Sequence, residues 1–174
     1  MRLIVPLLAA LLLAAPAMAQ EDATTLRLEL ETGTVVIELL DEVAPNHVER
    51  ITTLARDGFY DGVIFHRVIP GFMAQTGDPT GTGRGGSELP DLEAEFSDVP
   101  FERGTVGMAR ARDPDSANSQ FFIMFDAAPH LNGAYTVWGR VVDGMAHVDA
   151  IAPGQPPSDP TEIVAARVAG DVDG

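Results

Sequence analysis

The stretch from Val63 to Gly77 constrains this chain more than any other. It reads Val-Ile-Phe-His-Arg-Val-Ile-Pro-Gly-Phe-Met-Ala-Gln-Thr-Gly, with Arg67 inside an apolar run, Pro70-Gly71 interrupting it and Gln75 near its end. An apolar run broken by Pro-Gly predicts two extended segments joined by a turn. Alternation places Phe65, Arg67 and Ile69 on one face of the first segment, and Ile64, His66 and Val68 on the other. An arginine on such a strand must reach water, find a partner or act on something.

The surrounding sequence supplies further strands and two helices. Leu26, Leu28 and Leu30, then Val35, Ile37 and Leu39, alternate on either side of Thr32-Gly33, which predicts a hairpin with one buried face. Pro45 opens a helical pattern (Val48, Ile51, Leu54, Ala55) that closes at Gly58, and this helix is expected to cover an open end of a sheet or barrel. His47 in its first turn reads as a surface residue. Gly77 to Gly86 is a glycine-rich loop. Its formal G-x-G-x-x-G match is empty, because Pro90 follows where a helix would start, so the glycines are expected to let the loop lie close to a neighbouring site. Asp91 to Pro100 is an acidic connection, with Phe96 as a buried anchor and solvated acids. Strands follow at Gly104–Ala109, Ser119–Phe125, Thr136–Val142 and Ile163–Val168. Asp143 is placed to cap a short helix through Met145, Val148 and Ile151. The tail after Gly170 reads as loose. Seven or eight strands in short antiparallel connections predict a mainly β fold, a closed barrel with helices at its ends, although periodicity alone does not separate it from a sandwich.

Composition narrows the chemistry. The chain of 174 residues suits one domain, and its 26 acidic against 11 basic residues, a net charge of −15, argue against nucleic acid or an anionic membrane as partner. With no cysteine there is no disulfide, thiolate nucleophile or Cys-based zinc site. His47, His66, His130 and His147 lack ligand spacing, so no metal is expected. There is no G-x-S-x-G elbow, which makes a serine hydrolase a poor reading. Met1-Arg2, an apolar Leu3 to Ala15 and Ala17-Met18-Ala19 form a secretory pattern, with cleavage expected after Ala19 and the mature domain running over 20–174. No stable membrane insertion is expected once that segment is removed; a periplasmic or secreted monomer is.

From Phe65 to Asp78 the sequence F-H-R-V-I-P-G-F-M-x-Q-x-G-D resembles the signature of the cyclophilins, the peptidyl-prolyl cis/trans isomerases. Gly81-x-Gly83, Gly107-Met108-Ala109, Ser119-Gln120-Phe121-Phe122-Ile123, His130-Leu131-x-Gly133 and Trp138-Gly139-Arg140-Val141 follow in the family's order, so the resemblance runs from about Leu26 to about Val168. It implies an eight-stranded closed antiparallel barrel capped by two helices, no cofactor, and proline-containing segments of unfolded or folding proteins as partners.

The reaction suits such residues. Rotation about an X-Pro bond breaks amide resonance, at a barrier of about 18–20 kcal/mol, and forms no covalent intermediate. In the twisted state the proline nitrogen regains a lone pair, so a fixed donor aimed there binds the transition state better than the substrate. Arginine is always charged, donates only and is rigid in its fork. The resemblance implies Arg67 as the catalytic arginine and Gln75 as the glutamine that orients it and contacts the peptide. It implies Phe72, Met73, Phe122 and Leu131 as the proline pocket, and Ala109, Arg110 and Ala111 as the strand edge that bonds the substrate backbone. His130 stands where many eukaryotic members have Trp, and Tyr135 where many have His at the pocket rim. Arg110 replaces the family's edge asparagine. The missing Trp implies weak cyclosporin inhibition. Arg110 and Arg112 imply a mild preference for acidic residues near the proline. A non-enzymatic chaperone using the same groove is the alternative; Arg67 and Gln75 favour the enzyme, since binding alone does not need the arginine.

Overall fold

The computed structural model describes residues 24–169. The secretory pattern, the expected cleavage after Ala19 and the tail after Gly170 lie outside the described residues. In chain order the elements are β1 (Thr25–Leu30), β2 (Gly33–Leu39), α1 (Pro45–Arg56), β3 (Arg67–Ile69), β4 (Met73–Thr76), β5 (Thr105–Met108), β6 (Phe121–Met124), a 3-10 turn (Pro129–Leu131), β7 (Val137–Asp143), α2 (Met145–Asp149) and β8 (Ile163–Val168). The strands pair antiparallel in the order β3-β4-β6-β5-β7-β2-β1-β8.

The expected closed barrel is not formed. The sheet curls, but β3 and β8 remain its two edges. The chain ahead of β3 runs beside β8 without forming a ladder: Gly62 N–H donates to Ile163 O at 2.8 Å, Phe65 N–H to Thr161 O at 2.9 Å, and Ile64 makes one isolated bridge to Glu162. β3 has only three residues, and its Val68 exchanges both backbone bonds with Gly154 (2.8 and 2.9 Å), so a loop rather than a strand fills the seam.

Inside the curl the hairpin's leucines and valines are buried as alternation requires, with Leu26, Leu28, Val35 and Ile37 at 0% exposure. Trp138, Phe121 and Tyr60 meet edge-to-face at centroid distances of 5.4 and 5.5 Å, a geometry that suits the ring quadrupoles. Tyr60 satisfies its hydroxyl by donating to Ser119 O at 3.0 Å. α1 lays Val48, Ile51, Leu54 and Ala55 onto this core against β7 and β8.

Four expectations are corrected around the helix starts and the acidic connection. The helix has no side-chain cap of its own. Glu95, from the acidic connection, takes that role: its carboxylate accepts from Asn46 N at 3.1 Å, His47 N at 3.0 Å and His47 Nδ1 at 2.6 Å. Unpaired N–H groups and the positive end of the helix dipole draw the acid inward. His47, expected at the surface, is therefore fully buried. Glu95 is not a freely solvated acid. Phe96, expected as the buried anchor, is 46% exposed, and Leu92 packs against the core instead. Asp143 does not cap α2 either: β7 runs on through it, Gly144 takes the N-cap position, and Asp143 Oδ1 accepts the Gly144 N–H at 2.9 Å.

A second apolar cluster gathers Met73, Phe101, Phe122, Met124, Leu131 and Val137, with Ile69, Phe72 and Tyr135 packed on it. All four residues of β6 are buried because the inner core covers one face of the strand and this cluster the other. Gly107 makes the stacking of Phe101 on Phe122 (5.7 Å) possible: a Cβ there would stand 2.6 Å from both rings.

Candidate functional site

The site grows from the Pro70-Gly71 turn. Proline presets the first corner and Gly71 supplies φ 70° at the second, a type II turn closed by Phe72 N–H to Ile69 O at 3.0 Å. The turn sets the register, pairing Arg67 with Gln75. Gln75 pairs in turn with Phe122, and Phe122 with Gly107. A single row across four strands thus brings arginine, glutamine, aromatic ring and glycine together. Phe65 does not share this face as alternation predicted. It lies in the inner core, because the regular strand begins only at Arg67 and the two residues before it follow no period. His66 is buried and faces the glycine-rich loop, away from Arg67: a Cβ on Gly83 would lie 3.5 Å from its ring.

Arg67 is half-buried and held by neutral acceptors. Its Nη1 donates to Gln75 Oε1 at 3.4 Å and its Nε to Gln155 Oε1 at 3.3 Å. Gln75 Nε2 donates to Gln120 Oε1 at 2.9 Å, and Gln120 Nε2 donates to Gly85 O at 2.8 Å. The Gly85 N–H donates to Asp78 Oδ2 at 3.1 Å. The buried Asp78 carboxylate also accepts from Thr80 N, Thr82 N and Gly83 N. Burial alone would raise its pKa, but these bonds hold it down at about 2. An ionised carboxylate therefore shapes the glycine-rich loop and, through the two glutamines, braces Arg67.

Beside Arg67 lies a cavity of about 130 Å³ walled by Phe72, Met73, Phe122, Leu131 and Tyr135, with Gln75, Ala109 and Arg110 at its margin. A wider polar cavity of about 520 Å³ adjoins it, sharing Gln75, Ala109 and Arg110 and adding Arg84, Ala111 and Gln120. Tyr135 stands edge-on to Phe122 at 5.9 Å. The Arg110 guanidinium lies over the Tyr135 ring at 4.4 Å and donates to Ala134 O at 2.8 Å and Ala111 O at 3.0 Å, tying the strand edge to the loop across the cavity mouth. His130 lines neither cavity; it is exposed, with its ring 5.8 Å from Phe72. The arrangement can hold a small apolar ring and present a charged donor beside it.

The family described as "Cyclophilin type peptidyl-prolyl cis-trans isomerase/CLD" matches residues 25–168. The chain belongs to the cyclophilin family. Among relatives of this cyclophilin, a probable peptidyl-prolyl cis-trans isomerase of Brucella suis is 51% identical over 171 residues, covering 89% of this chain and 87% of that one. The crystal structure of the cyclophilin AquaCyp293 from Hirschia baltica is 31% identical with a TM-score of 0.79, covering 86% of this chain and 75% of that one. A cyclophilin of Cryptosporidium parvum, solved in the presence of the dipeptide Ala-Pro, is 30% identical with a TM-score of 0.78, covering 84% and 99%. The chain is a peptidyl-prolyl cis/trans isomerase.

Sequence reasoning placed Arg67, Gln75, the apolar wall and the 109–111 edge, and all of these lie around the two cavities. It gave no role to Gln120, Asp78 or Gln155. Gln120 carried a signal, a polar residue opening an apolar strand. Gln155 carried none, since it joins Arg67 from 88 positions away.

Proposed function

We propose that Arg67 is the electrostatic catalyst of X-Pro rotation and that the 130 Å³ cavity receives the proline ring. The observation that carries this reading is a guanidinium at the cavity wall braced by uncharged glutamines, which fix its direction without neutralising it. As the bond twists, the proline nitrogen gains a lone pair and an arginine N–H donates to it, an interaction that the planar amide cannot make. Phe72, Met73, Phe122, Leu131 and Tyr135 hold the ring while the rest of the peptide turns. Gln75 orients Arg67 and meets the peptide backbone, Ala109 to Ala111 bond the substrate chain, and His130 backs Phe72. Removing one preorganised donor of this kind costs about 10²- to 10³-fold. Isomerisation of a short X-Pro peptide by the chain from Gln20 onward, beside Arg67→Ala, tests this. A variant that stays folded and keeps full activity would remove Arg67 from the mechanism.

The domain is read as exported by a bacterium and as assisting the folding of exported proteins. The apolar segment ahead of Ala17-Met18-Ala19 supports export. The mass of the protein recovered from periplasm or medium tests it: a chain starting at Gln20 is expected, and an intact Met1 in the cytoplasm would refute it. Of Arg110 and Arg112, Arg110 alone lines the wider cavity; with Arg84, and against Asp91, it supports a mild preference for acidic residues near the proline. Equal turnover of acidic and basic flanking peptides at low salt would remove that preference.

A further inference from the structure

We propose that Gln155 is a positioning residue for Arg67, the second arm of a clamp whose first arm is Gln75. The proposal rests on the reading of Arg67 as catalyst. A guanidinium held at one nitrogen can swing about that contact; held at two, its plane is fixed. Here Nη1 is held by Gln75 on β4 and Nε by Gln155 on the loop after α2. The two holds come from opposite sides in the sequence, and they leave Nη2 for the substrate.

The loop is built to keep this arm in place. Gly154, the residue before Gln155, exchanges two backbone hydrogen bonds with Val68, the residue after Arg67, at 2.8 and 2.9 Å. Pro157 is buried two residues later, and Ala152 N–H donates to Thr161 Oγ1 at 3.1 Å. Gln155 itself is exposed, so its side chain gains nothing from packing, and its bond to Arg67 accounts for its direction. The acceptor is also chemically apt. A neutral amide oxygen orients the arginine, whereas a carboxylate would pair with it and draw off the charge that stabilises the twisted state.

The contact is long and solvent-exposed, which puts its worth below the usual range for a hydrogen bond to a charged group and within that of an ordinary one: about a three- to tenfold loss of kcat on removal. The test is a double-mutant cycle on isomerisation of an X-Pro peptide, with kcat, KM and thermal unfolding midpoints for the native chain, Gln155→Ala, Gln155→Met, Arg67→Ala and Arg67→Ala/Gln155→Ala. Expected are that loss in kcat for both Gln155 variants, KM within about twofold, unchanged midpoints, and no further loss when Gln155→Ala is added to Arg67→Ala. Met keeps the length of the side chain without the acceptor, so a Met variant with native kcat would overturn the proposal. So would a loss of equal size in both Arg67 backgrounds, which would mark a role independent of the arginine. Full activity in Arg67→Ala alone would instead overturn the catalytic reading, and the clamp with it.

Discussion

Among the described residues Arg67 is held by two amide oxygens and no carboxylate, so its full positive charge is kept at the cavity wall. Lysine could supply the charge but neither the planar fork nor the two lateral contacts. Arg67→Lys is expected to keep the fold and lose about tenfold or more in kcat/KM, a smaller loss than Arg67→Ala. Isomerisation assays on both variants check the order; a fully active Lys variant would show that charge alone suffices. His130 bears on inhibition in the same local way. An exposed imidazole against Phe72 gives a bulky cyclic peptide less surface than an indole would, so cyclosporin is expected to inhibit weakly, and nanomolar inhibition in the same assay would contradict this.

Between elements, the shared part is the contact of β5 with β6. Gly107→Ala would drive a methyl group into the Phe101 and Phe122 rings. Overpacking of this kind costs about 1–3 kcal/mol, and the displaced Phe122 lies in the cavity wall. Chemical denaturation should show that loss and the isomerase assay a lower kcat/KM; a variant with native stability and activity would mean the rings have room to move. The elements were largely legible in the sequence. Alternation gave β1 and β2, the 3.6-residue period with Pro45 and Gly58 gave α1, and Pro70-Gly71 gave the β3–β4 turn. What was not legible depends on partners far along the chain. Glu95 caps a helix that starts about fifty residues earlier, 49 positions from Asn46, so nothing near His47 announces that it is buried. The open seam depends on Gly154 pairing with Val68, which no local period encodes. Of the candidate site, the arginine, its first glutamine and the apolar wall came from motif and resemblance, while the bracing by Gln120, Asp78 and Gln155 is a property of the folded register.

For the molecule as a whole, buried titratable groups set how stability responds to acid. Burial, opposed by the hydrogen bond that His47 donates to Glu95, holds the His47 pKa below its ordinary value, and burial, opposed by the Asp78 carboxylate, does the same for His66. The geometry agrees for His47: Nδ1 must donate to Glu95, and a second proton on the buried Nε2 would find no acceptor. The unfolded chain therefore takes up protons first, and this part of the stability is lost as pH falls below about 6.5. Glu95, lowered by its bonds to His47 and Asn46 against the opposing effect of burial, is a second source. Its contribution is complete above 4.5 and lost below it, and that of Asp78 is lost from 3.8 down to about 2. Unfolding midpoints are expected to be flat from neutrality up to the range where tyrosine ionises and to fall toward acid in two stages, the first removed in His47→Gln/His66→Gln; a first stage that persists in that variant would assign it elsewhere. The two-faced sheet has a longer consequence. One face carries the core that keeps the chain folded, and the other carries the cluster that walls the proposed proline cavity, so the two can be altered with little interference. Exchanges at Arg110, His130 or Tyr135, all outside the inner core, are therefore expected to alter peptide preference at little cost in stability, which unfolding midpoints beside isomerase assays on the variants would check. The two faces share parts at Gly107 and along β6, where a single substitution touches both.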